Sequence, residues 1–223
     1  SVPIYQICKA FRANEQGKKH SPEFTILEWY RPGFSFEAML QETLSVTELI
    51  LGEKLVERYS YKQLFEQHFA INPHTCNRDT LAAIAQKHNL GDFSDMQHSG
   101  WLDLLMSQVV EPSFKPDVLT VVQDFPASQS ALAKRVNNSD EELVARRFEV
   151  YFAGLELANG YDELIDAEAV DKQLQGSDTA LLDAAKAGIP ASCGVALGLD
   201  RLLMAAADVA DIRQVLSFSA DIA

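Results

Sequence analysis

Residues 4–34, IYQICKAFRANEQGKKHSPEFTILEWYRPGF, read as two strands joined by a long charged loop. The strands span Val2–Phe11 and Glu23–Tyr30, and Pro32–Gly33 closes the unit. Strand side chains alternate with a period of two, so Phe24, Ile26, Glu28 and Tyr30 share one face. That face offers an aromatic surface, then a carboxylate, then a phenol. A base can stack on Phe24, and an amine can meet Glu28 and Tyr30. The loop Ala13–Pro22 carries Lys18, Lys19 and His20, with Gly17 for a turn, a composition that suits a polyphosphate. The same pattern also describes a core strand with a solvated loop, and residue chemistry alone leaves both readings open.

Composition narrows the setting. The 223 residues fit one domain with room for an insertion, and 47% hydrophobic and 23% charged content is ordinary for a globular chain. No apolar run approaches the roughly eighteen residues that span a membrane, and SVPIYQICKAF lacks the form of a signal peptide, so no membrane partner is expected. The cysteines, Cys8, Cys76 and Cys193, are odd in number and far apart, which points to a reducing cytoplasm. Nineteen Lys and Arg against 32 Asp and Glu give a net charge of −13, too acidic for an extended nucleic-acid footprint. The basic residues cluster only as pairs, among them Lys134–Arg135 and Arg146–Arg147.

Beyond the opening unit, Ser35 is an N-cap for a helix expected to run to about Arg58, with Met39, Leu40, Leu44, Leu51 and Leu55 near helical spacing. Residues 60–112 read as a helical insertion: Tyr61–Phe69 capped by Ser60, then Arg78–His88, then Met96–Val110. Its histidines, His68, His74, His88 and His98, repeat no metal spacing and read as surface or capping residues. Asp117–Val122 is a β-branched strand, Asp178–Lys186 a helix, Cys193–Leu199 a strand and Asp200–Ala207 a helix. Strands without regular βαβ alternation predict an α+β fold, an antiparallel sheet flanked by helices. With neither G-x-G-x-x-G nor a P-loop, any nucleotide would be held by side chains on the sheet.

Two further stretches carry chemistry. In RFEVYFAGLELANGYDE, residues 147–163, Ala153–Gly154 reads as a two-residue hairpin turn. Tyr151 then faces Glu156 and Glu149 faces Ala158, which puts Glu149, Tyr151 and Glu156 on one face with the carboxylates as diagonal neighbours. Like charges in that arrangement raise one another's pKa, and a hard cation relieves the conflict. A solvated face with two glutamates is the equal alternative. Asn159, Tyr161, Asp162 and Glu163 follow, an acidic run suited to a cationic substrate. In GVALGLDRLLM, residues 194–204, an apolar strand turns at Gly198, which allows close backbone approach, into a helix that Asp200 can cap and that carries Arg201.

Three segments in order resemble class II aminoacyl-tRNA synthetases of the lysyl type. FR..E....H.PEFT.LEWY is similar to their motif 2, GLELANGYDEL to the segment that binds amino acid and metal, and GVALGLDR to motif 3. LEWYRPG, DFPASQSALA and the ending FSADIA resemble one branch, truncated lysyl-tRNA synthetase paralogues that ligate (R)-β-lysine to elongation factor P. The resemblance implies ATP and Mg²⁺ as cofactors and an aminoacyl-adenylate as intermediate. By position it places Arg12 on the α-phosphate, Arg201 on the γ-phosphate, His20 near the triphosphate, and Phe24 on the adenine opposite Arg201. Glu149 and Glu156 match the metal ligands, and Asn159, Tyr161 and Glu163 the lysine pocket, with Glu163 nearest in role to the side-chain ammonium partner. Asn14 stands where the family has the glutamate of FRNE and Glu15 follows it, so either can act beside the adenylate. Ala196 replaces a glycine usual in lysyl-tRNA synthetases, and its methyl can reshape which amine isomer fits. Elongation factor P and (R)-β-lysine or lysine are then the expected partners, tRNA is not, and the full-length protein is expected to be a homodimer. Motif 1 is expected before residue 1, and 171–179 is shorter than the family pattern. The catalytic core of a lysyl-tRNA synthetase, or a synthetase-like binding module without turnover, are the other readings.

Overall fold

A computed structural model describes residues 2–13, 15–91, 93 and 95–218. Eight strands form one sheet: β1 (Ile4–Phe11), β2 (Glu23–Pro32), β3 (Leu55–Ser60), β4 (Val118–Pro126), β5 (Arg135–Asn137), β6 (Leu143–Phe152), β7 (Leu155–Asp162) and β8 (Ser192–Gly198). Their order is β1-β2-β8-β7-β6-β4-β3, with β5 beside β6. Every pairing is antiparallel except β3 with β4. The α+β expectation therefore holds, with one parallel pair added at the edge.

That pair corrects the helix expected to reach Arg58. Helix α1 (Phe36–Leu51) starts where Ser35 Oγ accepts the Ala38 N–H at 3.1 Å and stops at Gly52, whose φ of +71° a side chain rarely adopts. Leu55, four residues past Leu51, mimics helical spacing but stands 76% exposed on the edge strand β3. Helices α2 (Tyr61–Phe69), α3 (Arg78–Lys87) and α4 (His98–Leu105) then fill the crossover from β3 to β4. Ser60 and Gln63 form a reciprocal capping box at the start of α2. A π-turn, Met106–Val110, continues α4 in place of regular helix. His74 departs from the surface reading, because both its ring nitrogens are buried without a partner.

Helix α5 (Ala167–Leu174) and helix α6 (Thr179–Ala187) separate β7 from β8, and helix α7 (Leu199–Ala207) follows β8. One face of the sheet packs on α1 and α7 through Trp29, Phe148, Val150, Leu157, Val195 and Leu197. On the other face the insertion covers the β4–β6 half, burying Val122, Ala145 and Tyr151 against Tyr61, Phe65 and Trp101. The β2–β8–β7 half of that second face stays open, and the site lies there.

On the covered face Gly160 pairs with Phe148, and a methyl at Gly160 would meet the ring at 2.2 Å. Phe148 is fully buried and edge-on to Phe36 at 5.4 Å, so it has nowhere to retreat. Gly160→Ala is expected to destabilise the fold by about 3 kcal/mol, read as a lower urea midpoint at unchanged slope.

Candidate active site

The register of the sheet assembles the site. One row runs Gln6, Glu28, Ala196, Asn159, Glu149 across five strands, and a second runs Ile4, Tyr30, Gly194, Tyr161, Arg147. Residues in one row point to the same face. The second strand of the opening stretch is thus a wall, as its alternation predicts: Phe24, Ile26, Glu28 and Tyr30 line a cavity of about 280 Å³ while Leu27 and Trp29 turn to the core. From Phe24 to Tyr30 that wall runs roughly 20 Å at about 3.3 Å per residue.

The β6–β7 hairpin corrects the expected register. Ala153 and Gly154 form the two-residue turn with φ of +51° and +71°, and Tyr151 faces Glu156 as expected. Val150 pairs with Ala158, however, which leaves Leu157 as an extra residue and makes Glu149 face Asn159 instead of Ala158. The bulge lets Leu157 and Ala158 both enter the core, so Glu156 and Asn159 both reach the site face. Strict alternation would have put those two on opposite faces.

At one end of the cavity Glu28, Tyr30, Tyr161 and Glu163 converge. Burial, Asp162 and Glu28 push the Glu163 carboxyl up to about 8, and burial with Glu163 and Glu28 raises Tyr30 to about 12. Gly194 makes the convergence feasible, since a methyl there would stand 2.3 Å from Glu163 Oε1 and 2.5 Å from the Tyr30 ring. The Oδ1 of Asn159 is buried without a partner beside this end and awaits a donor. A compact cation satisfies all three conditions.

The other end is cationic. The Arg12 guanidinium lies over the Phe24 ring at 5.4 Å and 3.6 Å from Glu15. Arg201 donates to the Lys19 and Glu156 main-chain carbonyls at 3.3 and 3.0 Å and stands 3.5 Å from Glu156 Oε2. Burial and Arg201 lower the pKa of His20, which lines the cavity together with both arginines. Lys19 Nζ donates to the Gly154 carbonyl at 2.9 Å and Ile212 N–H to the Lys18 carbonyl at 2.8 Å, so the loop before β2 is tethered to the hairpin turn and to the C-terminal segment. Asp200 is not a cap: it is 6% exposed and accepts the Thr25 N–H at 2.6 Å, tying β2 to α7. Asn14 lies outside the described residues, as do residues 219–223 of the FSADIA ending.

Between the two ends are Glu156, which lines the cavity, and Glu149, one strand behind and 5% exposed. Burial and Glu149 raise the Glu156 carboxyl well above the usual carboxylate range. Glu149 accepts from Arg147, from the Tyr151 hydroxyl and from Asn159 Nδ2 at 3.3 Å. Carboxylates held together this way, one of them open to the cavity, have the chemistry of a hard-cation site that leaves most positions to water and phosphate. The residues fit Mg²⁺.

Sequence reasoning passed over Arg147, taken there as half of a basic pair, although alternation sets Arg147, Glu149 and Tyr151 on one face. It also passed over Glu111, which follows the π-turn and whose carboxyl burial and Glu149 raise to about 6.

A largely antiparallel sheet with an open cavity on one face, acidic and phenolic at one end and lined by two arginines at the other, defines a class. The profile of the class II tRNA synthetases (D, K and N) matches residues 2–221, and the chain belongs to that family. Within it, the chain is 40% identical over 235 residues to the elongation factor P–(R)-β-lysine ligase of Haemophilus ducreyi, covering 99% of this chain and 71% of that one. The ligase of the same name from Photobacterium profundum is 42% identical over 242 residues, covering 100% and 73%. That of Enterobacter sp. strain 638 is 39% identical over 235 residues, covering 98% and 72%.

Proposed function

We propose that this chain is the catalytic domain of an ATP-dependent ligase that activates (R)-β-lysine, or lysine less well, and transfers it to a lysine of elongation factor P. The observation that carries the reading is the sorting of charge along one cavity. Carboxylates and phenols occupy the end at Tyr30, and guanidiniums and an aromatic shelf the end at Phe24. An amino acid with a distal ammonium and a nucleoside triphosphate fit that polarity together in one orientation only.

Glu28, Glu163 and Asn159 receive the ammonium groups, and Phe24 takes the adenine. Arg12 and Arg201 bind the phosphates at two points, with His20 and Glu15 beside them. The substrate carboxylate, aligned by this grip, attacks the α-phosphorus; pyrophosphate departs and the aminoacyl-adenylate forms. The guanidiniums meet the charge that grows on the phosphate oxygens. Glu149 and Glu156 would hold Mg²⁺, which when bound would supply further neutralisation of the triphosphate. The ε-amine of the acceptor lysine then attacks the adenylate carbonyl, forming an amide and releasing AMP. The fold contributes a single catalytic unit with α2–α4 as an insertion. Its setting is the cytoplasm, the reducing compartment that three free cysteines suit.

ATP–pyrophosphate exchange on the full-length protein tests the reading. Exchange is expected with (R)-β-lysine in preference to α-lysine, and elongation factor P should gain one lysyl mass. A preference for α-lysine accompanied by charging of tRNA overturns it, as does the lack of exchange with either isomer.

The Ala196 methyl sits in the row between Glu28 and Asn159. Ala196→Gly should raise kcat/KM for α-lysine by about tenfold, since one methyl in a packed pocket is worth 1–3 kcal/mol. Unchanged selectivity in the exchange assay removes Ala196 from the specificity argument.

A further inference from the structure

Arg147 shares the site face of β6 with Glu149 and neutralises that one of the two proposed cation ligands. One guanidinium nitrogen donates to Glu149 Oε1 and the other to the Gln129 main-chain carbonyl at 2.9 Å. The group also lies over the Phe125 ring at 4.5 Å, and the Arg147 and Glu149 side chains are 18% and 7% exposed. It is clamped at both ends and cannot swing away. A carboxylate offers about four lone-pair positions, and on Glu149 three are taken, by Arg147, Asn159 and the Tyr151 hydroxyl. Glu156 is neutralised differently. Its partner Arg201, 3.5 Å away, lines the open cavity.

The cluster is therefore two carboxylates facing two guanidiniums, one fixed and one within reach of a ligand. We propose that Arg147 is a positioning residue that keeps the Glu149–Glu156 pair from holding a divalent cation by itself, so that the cation is admitted only when a triphosphate draws Arg201 off Glu156. This rests on the reading of Glu149 and Glu156 as the cation site. It makes cation and nucleotide binding mutually dependent, and it spares the apo site from occupation by whichever divalent ion is most abundant.

The test is calorimetric titration of Mn²⁺ into the full-length protein without nucleotide, repeated with a non-hydrolysable ATP analogue bound. The parent protein should show no Mn²⁺ binding alone below millimolar concentration and clear binding with the analogue. Arg147→Gln should bind Mn²⁺ alone at least about tenfold more tightly than the parent, because one opposing charge has gone. Arg147→Lys keeps the charge and should stay within about twofold of the parent. Micromolar Mn²⁺ binding by the parent alone overturns the inference, and so does an Arg147→Gln protein, folded by circular dichroism, that binds no more tightly. If Arg147→Gln does not fold, the parent's two titrations and Arg147→Lys still decide. Failure of ATP–pyrophosphate exchange in the parent would sink the ligase reading but leaves these titrations readable.

Discussion

Glu163→Gln is expected to abolish use of the amino-acid substrate and at the same time to stabilise the apo protein at alkaline pH. The native carboxyl is pushed up to about 8 from an ordinary 4.5, first by burial and then by Asp162 and Glu28. A carboxyl whose folded pKa exceeds its unfolded value favours the folded state below the unfolded pKa. That contribution disappears as pH rises through about 8, because the folded state binds the extra proton. Ionised Glu163 is therefore a strain on the empty site, on the order of 2 kcal/mol after discounting for the part of the side chain that water reaches. Glutamine has the same shape without the charge. Its melting temperature should match the parent at pH 4 and exceed it by about 5 °C at pH 9. In exchange it should lose about a thousandfold in kcat/KM, because an ammonium would be buried without its counter-charge. The parent should show the complement: affinity for the cationic substrate falls about tenfold per pH unit below 8, as the carboxyl takes up its proton. A flat pH profile between 6 and 8, or a glutamine variant that retains exchange, removes Glu163 as the ammonium partner.

Much of this site is legible in residues 4–34 alone. The alternation Phe24, Ile26, Glu28, Tyr30 places those side chains on the cavity wall because β2 is a regular inner strand paired on both sides. Ser35 and Ser60 mark helix starts because a hydroxyl before an apolar period satisfies free N–H groups. What escaped reading has specific causes. The end of α1 was overrun because Leu55 continues a spacing of four while Gly52, the stop signal, stands inside the pattern. The bulge at Leu157 has no glycine to announce it, yet the run Glu156-Leu157-Ala158-Asn159 breaks the period of two with adjacent apolar residues between polar ones. That break is the signal. Asp200 reads as a cap from its place before a helix, and only the tertiary fold shows it accepting from Thr25, 175 positions away. Arg147 is hidden by Arg146: adjacent strand residues face opposite ways, and Arg146 lies over Phe36 at 4.1 Å while Arg147 pairs with Glu149 on the other face.

Arg201→Ala should reduce ATP–pyrophosphate exchange by about a thousandfold, mainly in kcat, as expected for a charged donor that acts where charge develops. The structure adds a second consequence. Arg201 Nε donates to the Lys19 carbonyl and Nη1 to the Glu156 carbonyl, so the residue also braces the loop before β2 against the hairpin. Two other contacts share that duty, Lys19 to the Gly154 carbonyl and Ile212 N–H to the Lys18 carbonyl. Loss of Arg201 alone should leave the loop in place because those two contacts remain, and should lower the melting temperature by a few degrees, since the partly buried Glu156 carboxylate loses its partner. Lysine cannot substitute, because a single ammonium cannot span both carbonyls and a phosphate as a planar fork does. Arg201→Lys should therefore recover less than about a tenth of the lost activity. Lys19→Met supplies the contrast: it frees the loop tip from Gly154 but leaves both guanidiniums, so it should raise the KM for ATP several-fold while kcat stays within about threefold. If Arg201→Ala and Lys19→Met give the same modest rise in KM, Arg201 acts as a brace and not on the reacting phosphate. If only Arg201→Ala collapses kcat, the arginine of the third motif acts on the transition state, and its contact with Glu156 is the resting position from which it moves.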